Sequence, residues 1–158
     1  NSLSHYTDWT VAHVHSGAIG WVAMITIGSL YAMAPRALGR PQMHSVPAME
    51  LHFWLHTIGL LLYVIAMWAA GVTEGLMWRA TNNDGSLTYA FIDSLIAIKP
   101  FYVVRWLGGM FVLAGMVVMA WNLWHTAAQA RAHLITPIPV PIPEPEHDQV
   151  PAPLPAVG

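Results

Sequence analysis

Cysteine is absent from this chain of 158 residues, which removes disulfides, iron–sulfur clusters, covalent c-type heme attachment and thiolate chemistry from its repertoire. Charge is scarce as well. Asp, Glu, Lys and Arg make up 9% of the residues, against roughly 25% in soluble domains, so the composition is that of a membrane protein. With a formal net charge of −2 and no basic run, the chain has no electrostatic footprint for nucleic acid. No Met opens the sequence, and no positively charged segment with a short apolar core precedes the first long apolar run; it reads as the interior of a longer protein.

Apolar residues fill this space at 56%, accompanied by nine histidines and eight tryptophans. Three membrane spans follow from the pattern. The first covers residues 9–33, with Pro35 expected to end it because the residue before a proline is pushed out of the helical region. The second covers 47–78 and opens at Pro47, a favoured first-turn position. The third covers 100–128. Between spans two and three, Asn82-Asn83-Asp84-Gly85-Ser86 is a turn cluster, and residues 87–98 suit a helix lying at the membrane surface. The expected architecture is all-α: an integral membrane bundle of three transmembrane helices and one surface-lying amphipathic helix, part of a larger assembly. Residues 1–131 form the membrane region. Residues 132–158, rich in proline, read as a disordered, solvated tail.

Basic residues set the orientation. The loop with Arg36 and Arg40, together with Arg131, reads as cytoplasmic, and the connection carrying Asp84 and Asp93 faces outward.

Within the first span the triplet His13-Val14-His15 stands out, since no Asp, Glu, Lys or Arg occurs from Trp9 to Met33. On a helix, positions i and i+2 point about 200° apart, so the two imidazoles leave opposite sides and cannot share one metal. On a strand they would share a face and one zinc could take both, but the length and the lack of alternation argue for a helix. Ser16, Gly17, Ala18 and Gly20 leave room for a flat macrocycle, which points to two hemes, each held by one histidine. The plain alternative is a pair of histidines satisfied by carbonyls or neighbouring side chains, with the small residues serving helix packing.

Other polar groups gather on the outer side. Arg105, inside the third span, suits a heme propionate, the alternatives being an ion pair with Asp93 or snorkelling; Arg79 and His5 are further propionate candidates. His52 and His56 share a face at i, i+4, a spacing that can hold a metal, although no third ligand is evident and a structural role fits better. Glu74 reads as an interface or proton-exit acid. His44, His125, His133 and His147 are assigned nothing. The Met and Trp residues of span three read as packing and lipid anchors.

NSLSHYTDWTVAHVHSGAIGW resembles the tenth transmembrane helix of the catalytic subunit of cbb3-type cytochrome c oxidases, the C-type heme-copper oxidases. HFWLHTIGLLLYVIAMWAAGVTEGLMWRA and FYVVRWLGGMFVLAGMVVMAWNLW are similar to the eleventh and twelfth, so the resemblance runs from Asn1 to about Ala128. It implies that His13 is the axial ligand of the high-spin heme b, that His15 is one of two axial ligands of the low-spin heme b, and that His5 lies near the propionates of the high-spin heme. It also implies cytochrome c oxidation, reduction of oxygen to water and proton translocation, carried out in a bacterial inner membrane; the hemes fall in its outer half because His13 and His15 lie within about two turns of the outer end of span one. The implied partners are the remainder of the catalytic subunit, c-type cytochrome subunits, cytochrome c and the lipid bilayer. The copper ligands, the cross-linked tyrosine and the second low-spin ligand belong to earlier helices, so copper belongs to the complete subunit and this chain alone is not expected to be active. His56 stands where the family suggests a small or apolar residue. A nitric oxide reductase-like large subunit, which also uses an H-x-H helix, and a non-catalytic heme-binding or structural membrane subunit are the rival readings.

Overall fold

The computed structural model describes residues 2–135. Its helices are α1 (Asp8–His15), a π-helical segment (Ser16–Val22), α2 (Ala23–Ala37), α3 (Val46–Arg79) and α4 (Phe91–Ile135). The first three run on from one another, giving a continuous span Asp8–Ala37 beside Val46–Arg79 and Phe91–Arg131, all long and apolar enough to cross a bilayer.

Pro35 does not end the first span. The helix passes through it to Ala37, because a proline in the last turn gives up only one ladder bond. Gly39 supplies the stop. At φ +65 it turns the chain so that Arg40 N–H donates to Pro35 O (2.8 Å) and Gly39 N–H to Arg36 O (3.1 Å), the paired bonds of a Schellman C-cap. The second span begins at Val46, with the Ser45 hydroxyl accepting Ala48 N–H at 3.2 Å and Pro47 in the first turn. The segment expected as a surface helix is helical from Phe91 and continuous with the third span through Pro100, rather than set off from it. The Pro-rich stretch beyond Ile135 lies outside the described residues.

Glycines set the closest approach of α3 and α4. A Cβ on Gly59 would meet Gly108 O at 2.6 Å, and one on Gly108 would meet Gly59 O at the same distance, so the two backbones cross in contact. Gly71 and Gly75, one turn apart on α3, let the backbone of Trp9 and Leu3 lie directly on that helix. Ala12, Val64 and Met67 form the buried cluster between α1 and α3, with Val11, Leu60 and Tyr63 packed around it. Between α2 and α3 the contact opens into a cavity of about 570 Å³. Much large apolar surface is left outward, including Trp21, Trp106 and Trp124. That surface suits a bilayer and further helices.

Two loops define the ends of the bundle. At one end, Asn122 is fully buried, accepting Ser45 N–H (2.9 Å) and donating to Ser45 O (2.8 Å), while Thr126 accepts His44 N–H (2.9 Å). Arg40 donates to Gln129 Oε1 at 2.9 Å, so the loop of Arg36 and Arg40 docks on the C-terminal part of α4. At the other end, residues 82–86 form the expected turn, with Gly85 at φ +82. Hydrogen bonds from the Ser86 hydroxyl and backbone N–H hold the Asp84 carboxyl below its ordinary pKa.

Candidate functional site

The start of α1 is fixed from three sides. Ser4 O accepts the hydroxyls of Thr7 and Thr10, both at 2.8 Å, closing a turn in which Tyr6 adopts a left-handed φ of 63. Glu74 of α3 reaches across to accept Asp8 N–H at 2.8 Å. Arg79 donates to Ser2 Oγ at 3.3 Å. Glu74, read from sequence as an exit or interface acid, is thus the group that caps α1.

His13 and His15 have different surroundings. His13 is exposed and stacks on Trp9 one turn earlier, with ring centroids 5.5 Å apart and planes 10° apart. His15 turns toward α3, its ring 5.1 Å from that of Tyr63. His15 Nδ1 lies 2.8 Å from Val11 O; a carbonyl can only accept, so the proton sits on Nδ1 and the Nε2 lone pair is available to a metal. This is the donor chemistry a heme iron takes from a neutral imidazole. On the same side, the Arg105 guanidinium lies over the rings of Tyr63 (5.3 Å) and Tyr102 (5.6 Å). Tyr63, Tyr102, Arg105, Trp106 and Gly109 line an open recess of about 550 Å³. Asp93 is no partner for Arg105, because twelve helical residues separate them by about 18 Å; its carboxylate accepts Ala90 N–H instead.

His5 is exposed, edge-on to Tyr6 at 4.1 Å. His5, Arg79 and Arg105 therefore have separate partners, while His15, Tyr63 and Arg105 are brought together.

Around His52 and His56 no group of three ligating side chains occurs among the described residues. Both are buried, at 2% exposure. His52 Nδ1 bonds Tyr31 OH at 2.8 Å, and His56 Nε2–H donates to Ile19 O, inside the π segment, at 3.0 Å. The residue without a place in the family pattern is a backbone anchor. The π segment itself was missed by sequence reasoning, and the one available signal is the run of small residues that follows His15. Near the other end, His44 stacks on His125 (5.0 Å) and sits edge-on to Trp121 (5.3 Å), a packed cluster at the loop docking site.

Three helices long and apolar enough to cross a bilayer, the first carrying an H-x-H pair, make this a multi-pass membrane protein. Residues 1–111 match the family described as cytochrome c and quinol oxidase polypeptide I, and the chain belongs to that family. It is 56% identical over 131 residues to the cbb3-type cytochrome c oxidase subunit CcoN1 of Stutzerimonas stutzeri, covering 83% of this chain and 28% of that protein. It is 54% identical over 129 residues to cytochrome c oxidase subunit 1 of Rhodobacter capsulatus, covering 82% and 24%. A nitric oxide reductase subunit of Stutzerimonas stutzeri is more distant, at 28% identity over 120 residues, or 74% and 25%. The resemblance read from the sequence is borne out, and the chain spans about a quarter of the length of these relatives.

Proposed function

We propose that this chain is the C-terminal, heme-ligating part of the catalytic subunit of a cbb3-type oxidase, with His13 the axial ligand of a high-spin heme b and His15 an axial ligand of a low-spin heme b. The observation that carries the reading is the His15 hydrogen bond. Donation of Nδ1–H to Val11 O fixes the tautomer that presents Nε2, while His13, two residues earlier, faces away from α3. When bound, the two hemes supply electron transfer and oxygen reduction. The Val11 carbonyl orients the His15 imidazole and Trp9 stacks on His13, and the α1 backbone separates the two sites by one helix thickness. Arg105 is positioned for a propionate of the low-spin heme, with its charge spread over two tyrosine faces. His5 and Arg79 are the corresponding outer-side candidates.

The complete subunit, with its copper ligands and c-type cytochrome subunits, oxidises cytochrome c and couples oxygen reduction to proton translocation. In this reading the membrane is a bacterial inner membrane. The loop of Arg36 and Arg40 and the C-terminal tail are cytoplasmic, and the hemes lie in the outer half, at the end shared by α1 and the Asp84 turn. Residues 1–131 are the membrane unit.

Reduced-minus-oxidised and CO-difference spectra of the complete subunit test the assignment. His13→Ala removes the CO-reactive high-spin signal, and His15→Ala removes the low-spin signal; loss of the same heme in both variants overturns it. The similarity to a nitric oxide reductase supports a second reading, in which the same helix serves reduction of nitric oxide. Turnover with oxygen against nitric oxide separates the two.

A further inference from the structure

His52, His56 and Tyr63 lie at i, i+4 and i+11 on α3, so at about 100° per residue they fall within about 40° of one another on one face. Each meets a different part of the first span: Tyr31 OH at His52, Ile19 O at His56 and the His15 ring at Tyr63. An uninterrupted α-helix could not make both end contacts. His15 and Tyr31 are sixteen residues apart and would point about 160° away from each other. The π segment corrects this, because i→i+5 bonding advances each residue by only roughly 80°. Its 7 residues remove on the order of 140°, which returns Tyr31 to nearly the face of His15. The wide turn is therefore what lets one span present both His15 and Tyr31 to α3. Ile19 is its central residue, and the buried His56 bonds that residue's carbonyl.

We propose that His56 is a positioning residue for the heme-ligand pair: by donating Nε2–H to Ile19 O it holds the π segment, and the π segment sets the direction in which His15 and His13 leave the helix. The inference rests on the heme assignment above. His56 touches no reacting atom and acts through the backbone that begins one residue after His15.

The test uses the complete catalytic subunit, purified with its partner subunits, in four variants beside the parent. His56→Gln carries an amide N–H at the reach of Nε2, His56→Asn falls short of it, His56→Leu fills the space without a donor, and His15→Ala is the control. The readouts are heme content, the low-spin α-band and midpoint potential, the CO-difference spectrum and turnover. The Leu and Asn variants are expected to keep both hemes but shift the low-spin band and potential, with turnover falling about tenfold, while Gln matches the parent. Parental spectra and potential in His56→Leu overturn the inference, as does a shift in Gln equal to that in Leu. Should Leu fail to assemble, the contrast between Gln and Asn decides. Retention of the low-spin signal in His15→Ala overturns the heme assignment, and the inference with it. Loss of that signal in His15→Ala beside a parental His56→Leu overturns the inference alone.

Discussion

The Glu74 carboxylate of α3 accepts the backbone N–H of Asp8, the first residue of α1, across 66 positions of sequence. Thr7 makes no side-chain cap of its own, so α1 is capped from another helix. A carboxylate at this position also meets the positive end of the helix dipole. The cap, the Ser4 turn and the Gly71 contact together fix where α1 starts, and His13 and His15 follow within two turns.

Replacing that cap should loosen the histidine pair from its base. Glu74→Gln keeps an oxygen acceptor for Asp8 N–H, whereas Glu74→Leu leaves the donor unpaired at a cost of about 1–2 kcal/mol. In the heme reading, the thermal midpoint for heme release from the detergent-solubilised complex should fall in the order parent, Gln, Leu. Equal midpoints for Gln and Leu would show that the contact is packing alone.

The α3–α4 crossing predicts an intolerance to even one methyl group. Alanine at Gly108 would place Cβ 2.6 Å from Gly59 O and 2.8 Å from Tyr63 N, both backbone atoms that cannot rotate aside. Gly108→Ala should cost about 1–3 kcal/mol. It should also disturb the recess below Arg105, because Tyr63 shares that turn. Gly28→Ala, on α2 with nothing within 4 Å, is the control. Membrane abundance and low-spin heme content of the two variants should differ, and equal values would contradict the crossing.

Asn122 satisfies both backbone groups of Ser45 and is fully buried. Asn122→Leu orphans an N–H and a C=O, each worth about 1–3 kcal/mol when left unpaired. The loop between Gly39 and Ser45 should then undock. Limited proteolysis from the Arg36 side of vesicles should cut it at least several-fold faster than in the parent. Unchanged cleavage would place the docking elsewhere.

The spans were legible in the sequence because apolar runs of this length have few other uses, and the facing of H-x-H followed from helical angle alone. What escaped was set by contacts between helices. Gly39 ended the first span where Pro35 was expected to, since its left-handed φ is chosen by a two-bond cap that sequence spacing does not reveal. The π segment left no hydropathy signature, and without it the partners of Tyr31 and His56 could not be foreseen. Asn122 and Thr126 read as ordinary polar residues in an apolar helix until the loop that uses them was in place. Arg105 was identified as costly and in need of a partner; Tyr102, one turn earlier on the same helix, was within reach of sequence spacing, but Tyr63 lies on α3 and comes over the guanidinium only on folding.

Arg105 also carries the sharpest electrical prediction. In the heme reading its positive charge favours the reduced, less positive state of the low-spin iron, so removing it should lower the midpoint potential. A unit charge about 10 Å away, at an effective dielectric constant of about 20, is worth about 1.7 kcal/mol. For a one-electron couple this is on the order of 70 mV. Arg105→Leu should show a drop of that order at unchanged heme content. Arg105→Lys keeps the charge but gives up the planar stack over Tyr63 and Tyr102, so its drop should be smaller and its stability lower than the parent's. Potentiometric titration of the α-band in both variants measures the difference. A parental potential in Arg105→Leu would mean that the guanidinium serves only the two tyrosine rings, and the propionate contact would have to be given to Arg79 or His5.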